Sequence, residues 1–224
     1  MAPLAAPHWE TVTPAMRETL RFIGTCGFAA RFYLAGGTAL ALRLGHRRSV
    51  DLDFFSESDE VGAETRREIL RALTPLNPRA LESTEGNLLL ELQGMHVGFF
   101  GYGYPLIMPT DSVEGIAVAS IADIGLMKLD AIISRGSRKD FYDLYAIAQE
   151  MPLEHLLSLG PAKYPYAKDF GLMAVEAMVL FDNADRDVQP NLIAGPPWEQ
   201  VKAFFIGQAR ALGQAWFGET ESGG

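Results

Sequence analysis

Cysteine is all but missing: Cys26 is the single one in 224 residues, which excludes a disulfide framework and any cysteine-based zinc site. A lone thiol is in keeping with a reducing compartment. Basic residues are also scarce, 19 Lys and Arg against 28 Asp and Glu, for a formal net charge of −9. A surface of that sign cannot neutralise a phosphate backbone broadly, so unspecific nucleic-acid binding is excluded while a local basic groove is not. Long apolar runs are absent. The most apolar stretch, Ile116–Met127, is interrupted by Asp123 and too short to cross a bilayer. No basic cluster precedes an apolar segment near Met1, so no signal peptide is read. There is no internal repeat and no low-complexity tract. These absences lead to the expectation of a soluble, cytoplasmic protein.

What is present is an ordinary globular balance, 48% apolar and 21% charged, in a chain long enough for one domain with a helical extension or two small ones. Met1–His8 and Glu219–Gly224 are expected to be loose. Thr13–Cys26 has the spacing of an amphipathic helix, with Met16, Leu20 and Ile23 on one side. Arg31–Ala35 and Val50–Phe55 read as short strands, and Thr38–Leu44 as a short helix stopped by Gly45. Glu60–Leu73 is a charged helix ended by Pro75 and Pro78. Asn87–Leu92 and Met95–Phe100 form strands around a Gln93-Gly94 turn. From Ser120 the pattern turns helical. Ser120 to Asp123 and Ser137 to Asp140 both have capping-box spacing, and Phe170–Phe181 and Trp198–Trp216 close the chain as helices. The expectation is an α+β protein: a mixed sheet with flanking helices over residues 1–115, then a helical domain over 116–224 closing the cleft.

One constellation carries chemistry. Leu34-Ala35-Gly36-Gly37-Thr38 is followed by Ser49-Val50-Asp51-Leu52-Asp53-Phe54-Phe55. Residues two apart on a strand share a face, so Asp51 and Asp53 project together and repel unless a cation lies between them. Mg2+ takes oxygen ligands and shares them with substrate phosphates. Gly36 and Gly37 lack a Cβ and let backbone N–H groups approach a phosphate, the following helix offers its positive end, and the Thr38 hydroxyl adds a donor. A Gly-Gly turn alone is usually a turn and an Asp-x-Asp alone a solvated strand end; together and in this order they favour the functional reading.

The run Gly36-Gly37-Thr38, then His46-Arg47-Arg48-Ser49, then Asp51-Leu-Asp53-Phe-Phe resembles polymerase-beta-type nucleotidyltransferases, and more closely the AbiEii/AbiGii toxin family of type IV toxin–antitoxin systems. Lys128-Leu-Asp130-Ala131, Arg135-Gly and Lys139-Asp140-Phe-Tyr-Asp143-Leu are similar to that family's second block, and Phe181–Asp185 to its C-terminal segment, so the likeness spans most of residues 28–190. The resemblance implies that Gly36, Gly37, Thr38, Arg48 and Ser49 bind the nucleotide, that Asp51 and Asp53 hold Mg2+, and that Lys128 neutralises triphosphate charge. It implies transfer of a nucleotide from a nucleoside triphosphate to a hydroxyl of an RNA, tRNA for instance, or of a protein, in a toxin with a cognate antitoxin as partner.

One departure stands out. Nucleotidyltransferases of this kind supply a third carboxylate from a later strand, and the matching position here holds Gly98. Glu91 on the neighbouring strand is the substitute ligand if it faces the site, and a solvated strand residue if it does not. His96 shares the facing of Gly98. Asp140 and Asp143 read either as cleft residues or as partners of Arg135. The Arg43, His46, Arg47, Arg48 cluster steers a nucleotide or forms a solvated turn, and Phe99, Phe100, Tyr102 and Tyr104 either stack on bases or fill the core. The alternative to an enzyme is a noncatalytic nucleotide-binding or protein-interaction relative without the third carboxylate.

Overall fold

A computed structural model describes residues 1–217; the Glu219–Gly224 tail lies outside them. The chain divides into two compact units, Met1–Ile124 and Gly125–Gly224.

The first unit is built on a mixed sheet of eight strands: β1 (Ala2–Pro3), β2 (Tyr33–Leu34), β3 (Leu52–Ser56), β4 (Arg79–Thr84), β5 (Asn87–Leu92), β6 (Met95–Gly101), β7 (Asp111–Val113) and β8 (Ile116–Val118). Their order is β1-β7-β8-β2-β3-β6-β5-β4. Helices α1 (Pro14–Gly24), α2 (Gly36–Leu44) and α3 (Ala63–Ala72) accompany it. Thr13 caps α1 through its hydroxyl, which accepts from the Met16 N–H, and Pro14 takes the first-turn position where no N–H is needed. Gly45 ends α2 in the left-handed region at φ 66°. The β5–β6 hairpin turns on Gln93 and Gly94 at φ 51° and 81°, the pair of positive φ values that a tight two-residue hairpin demands.

One face of the sheet is fully buried. Leu34, Leu52, Phe54, Leu88, Leu90, Leu92, Val97 and Phe99 line it, Phe99 stacking on Phe54 at 5.0 Å and meeting Phe28 and Phe32 edge-on. The opposite face is half-open, and the alternation of buried and half-buried residues along β3 separates the two.

Two expectations are corrected here, and one strand has no signal in the sequence. Met1–His8 is tied down: β1 pairs in parallel with β7, Leu4 N–H donates to Ser112, and His8 N–H to Leu42. Backbone pairing at a sheet edge leaves no trace in side-chain pattern. The boundary falls after Ile124 rather than at residue 115, because β8 completes the sheet beside β2 instead of opening the helical part. Finally, β4, exposed along its whole length, has no apolar alternation by which to be recognised.

The second unit takes most of α4 (Ile121–Ser134), then α5 (Arg138–Glu150), α6 (Leu153–Ser158), α7 (Gly160–Lys163), α8 (Phe170–Ala177), α9 (Asp182–Arg186) and α10 (Trp198–Phe217). Its centre is Phe141, with Phe181, Trp198 and Phe205 at 5.2–5.8 Å around it. At the start of α4, the Ser120 hydroxyl accepts from Asp123 N–H and donates to the Asp123 carboxylate. The two Asp123 oxygens also accept from Ile107 and Met108 N–H, which anchors the loop after β6.

Candidate active site

The site begins where β2 breaks into α2. Ala35 N–H still donates to Asp53 on β3, so the Gly-Gly turn starts one residue beyond the strand pair and beside the carboxylates. Gly36 sits at φ +64°, and a Cβ there would lie 2.9 Å from Asp53 Oδ2. A Cβ on Gly37 would lie 2.2 Å from Arg47 Nη2. The two glycines therefore make room for the Asp53 carboxylate and the Arg47 guanidinium, packed against the first turn of α2. Backbone freedom and close approach are both needed, and only glycine offers both. Gly36→Ala is expected to cost about 1–2 kcal/mol for the left-handed backbone alone, read as a shift of the urea midpoint.

Thr38 and Ser49 turn inward. The Thr38 hydroxyl donates to the Asp51 carbonyl and lies 2.8 Å from the Ser49 hydroxyl, while Ser49 N–H donates to Thr11. Both residues are buried, so they brace the segment that delivers Asp51 rather than present hydroxyls to a phosphate. The basic cluster divides. Arg43 pairs with Asp111 and donates to the carbonyls of Val118 and Ala119, holding β7 and β8; Arg47 is buried over the turn; Arg48 is exposed.

Asp53 lies on the half-open face of β3, and Asp51, just before the strand, reaches the same side. His96 stands beside them, its Nδ1 3.5 Å from Asp51 Oδ1. Asp53 is in register with Gly98 on β6, the position expected to hold the third carboxylate. A Cβ there would come within 2.4 Å of the Phe100 ring, so that ring lies back along its own strand over the glycine. Glu91 is on the same face but one strand further, opposite His96, and its carboxylate bonds to Arg79 on β4. That hydrogen bond holds the Glu91 carboxyl below its ordinary value. The expected substitute ligand is thus directed to Arg79, and no group of three His, Cys, Asp or Glu side chains among the described residues is arranged to hold a metal ion.

Lys128 belongs to α4, in the second unit. Its ammonium lies 2.8 Å from Asp140 and 2.7 Å from Asp143, and Asp140 also accepts from Arg135 and Ser137. The anion that a lysine on an apolar helix face requires is supplied within the chain. Burial opposes charge on Asp140, but Lys128 and Arg135 outweigh it and hold the carboxyl well below its ordinary range. Burial likewise opposes charge on Lys128, and the two aspartates outweigh it and raise its pKa.

Comparison with known proteins matches this arrangement. The family model described as the nucleotidyl transferase AbiEii toxin of type IV toxin–antitoxin systems matches residues 20–85, the stretch holding the glycine turn and both aspartates. An uncharacterized protein of Aquifex aeolicus (strain VF5) is 37% identical over 194 residues, covering 84% of this chain and 91% of that one. The chain belongs to the AbiEii nucleotidyltransferase toxin family. Two solved structures share the fold of this AbiEii relative. MenT4, a nucleotidyltransferase toxin from Mycobacterium tuberculosis H37Rv, aligns with TM-score 0.57 at 16% identity over 87% of this chain and 82% of its own. ANT(2")-Ia in complex with adenylyl-2"-tobramycin aligns with TM-score 0.52 at 15% identity over 66% of this chain and 96% of its own. Among the described residues, no helix is long and apolar enough to cross a membrane.

For the AbiEii reading, the sequence had located the glycine turn and the aspartate pair but had given the third position only as a glycine. The Phe100 ring over Gly98 was missed, although a glycine followed two residues later by an aromatic on the same strand face is the signal for it.

Proposed function

We propose that this chain transfers a nucleotidyl group from a nucleoside triphosphate, with Mg2+, to a hydroxyl of an RNA such as tRNA or of a protein, as the cytoplasmic toxin of a pair with a cognate antitoxin. The observation that carries the reading is the placement of Asp51 and Asp53 on the half-open sheet face, with the Asp53 carboxylate against the first turn of α2. Two carboxylates are a fitting donor set, since Mg2+ commonly takes one or two from the protein and completes its shell with phosphate oxygens and water. When bound, the ion offsets charge building on the phosphates as pyrophosphate leaves.

The chain's own residues supply the rest. The start of α2 offers backbone N–H groups and the positive end of the helix to an anion. Arg48, exposed beside the aspartates in sequence, attracts the triphosphate from solvent. Lys128 acts on the triphosphate only by giving up a carboxylate partner, so its first role is to hold α4 to α5.

The glycine at position 98 and the engagement of Glu91 with Arg79 favour a second reading, a nucleotide binder that does not catalyse. One experiment addresses both. Titrating each nucleoside triphosphate into the protein by calorimetry is expected to show binding in Mg2+ that is lost in chelator, and incubation with tRNA and labelled triphosphate to give labelled RNA. Binding without label on RNA or protein establishes the second reading; no binding to any triphosphate refutes both.

A further inference from the structure

The half-open face continues past the aspartates. One row further along the strands, roughly 7 Å on, four neighbouring strands place Tyr33, Phe55, Phe100 and Asn87 in register. The two central rings lie 5.1 Å apart and tilted by 32°, both half-buried, and the Phe100 ring leans over Gly98, which is in register with Asp53. Tyr102 closes the far side, its ring edge-on to Phe55 at 5.4 Å, with Tyr104 behind it. At either end of the row stands a buried polar atom with no hydrogen-bond partner, Tyr33 Oη and Asn87 Oδ1. An unsatisfied buried polar atom in a native protein calls for an explanation, and here two such atoms flank one row of aromatic rings.

This differs from ordinary core packing. The aromatic on the covered face, Phe99, is enclosed by Phe28, Phe32 and Phe54, whereas Phe55 and Phe100 keep part of their rings open. Strands present aromatics to solvent in adjacent register at a cost, and a flat ring is what such a surface accepts best.

We propose that Phe55 and Phe100 form the platform on which the base of the bound nucleoside triphosphate stacks, one ribose away from the carboxylates, with Asn87 offering its amide to the base edge. The proposal rests on the triphosphate reading above and adds where the base goes. Gly98 takes on a positive role in it: the missing side chain gives the Phe100 ring room to lean back over it, turning a ligand position into part of the base site. Binding energy then comes from two halves, metal-bridged phosphates on one row and a stacked heterocycle on the next.

The test is calorimetry in Mg2+ with the four nucleoside triphosphates and with inorganic tripolyphosphate, which has phosphates and no base. In the unmodified chain, the preferred nucleoside triphosphate is expected to bind more tightly than tripolyphosphate. Phe100→Leu is expected to weaken that nucleotide roughly tenfold or more and leave tripolyphosphate unchanged, with Phe100→Tyr restoring the affinity. Phe55→Leu serves as the parallel variant should Phe100→Leu fail to fold. Equal loss for both ligands, or no loss for either, overturns the platform while leaving the phosphate site standing. If the unmodified chain binds neither ligand in a metal-dependent way, the nucleotidyltransferase reading falls and the platform with it.

Discussion

Asp53→Asn is expected to abolish metal-dependent nucleotide binding: affinity for a nucleoside triphosphate in Mg2+ falls at least roughly a hundredfold, since even outer-shell partners of a metal contribute about 10–100-fold. The substitution keeps volume and shape and removes only the charge that a hard cation needs. Asn keeps the shape that fits against Gly36 at the first turn of α2, so the fold is expected to survive the change. The rise of the thermal midpoint produced by Mg2+ and nucleotide is expected to disappear in a variant that still melts cooperatively. Calorimetry and a thermal melt with and without Mg2+ check both halves. A variant that unfolds instead would mean that Asp53 holds the α2 turn together, and the metal assignment would fail.

The second large effect concerns stability. Lys128→Met takes the shared cation away from Asp140 and Asp143, both fully buried, while Arg135 stays paired with Asp140. Breaking a buried pair by removing one partner costs about 3–5 kcal/mol, measured as a lowered urea midpoint. The pH dependence has a definite sign. Asp140 is held below its ordinary value of 3.8, so its contribution is complete above that pH and is lost as pH falls through its folded value. Lys128 is raised above 10.5, so its contribution is complete below that pH and is lost as pH rises through its folded value. The difference between unmodified chain and variant is thus greatest between about pH 4 and 10 and shrinks in acid, where the carboxylates take up protons. A variant as stable as the parent at pH 7 but deficient in triphosphate binding would instead return Lys128 to the nucleotide, as the family likeness implies.

Much of the candidate site was legible from the sequence. Two carboxylates two apart in a strand must share a face because the backbone alternates, and Gly36-Gly37 before an alanine- and leucine-rich run marks a turn into a helix whatever surrounds it. The family likeness put Gly98 at the third-carboxylate position, and the pairing of β3 with β6 sets it opposite Asp53. These are local properties: the spacing of side chains along one strand or around one helix decides them.

Tertiary structure decided the rest, because it concerns which distant groups meet. Nothing near Glu91 in the sequence announces that Arg79, on an edge strand with no apolar pattern, takes its carboxylate. Nothing near Thr38 says that its hydroxyl faces Ser49 and Asp51 rather than a phosphate, and Lys128 finds its anions a full helix later. The N-terminal residues join the sheet through backbone hydrogen bonds alone, to which side-chain pattern is blind. Periodicity along the chain thus determined which residues stand on the candidate site's face, while pairing across the fold determined which of their charges were already satisfied.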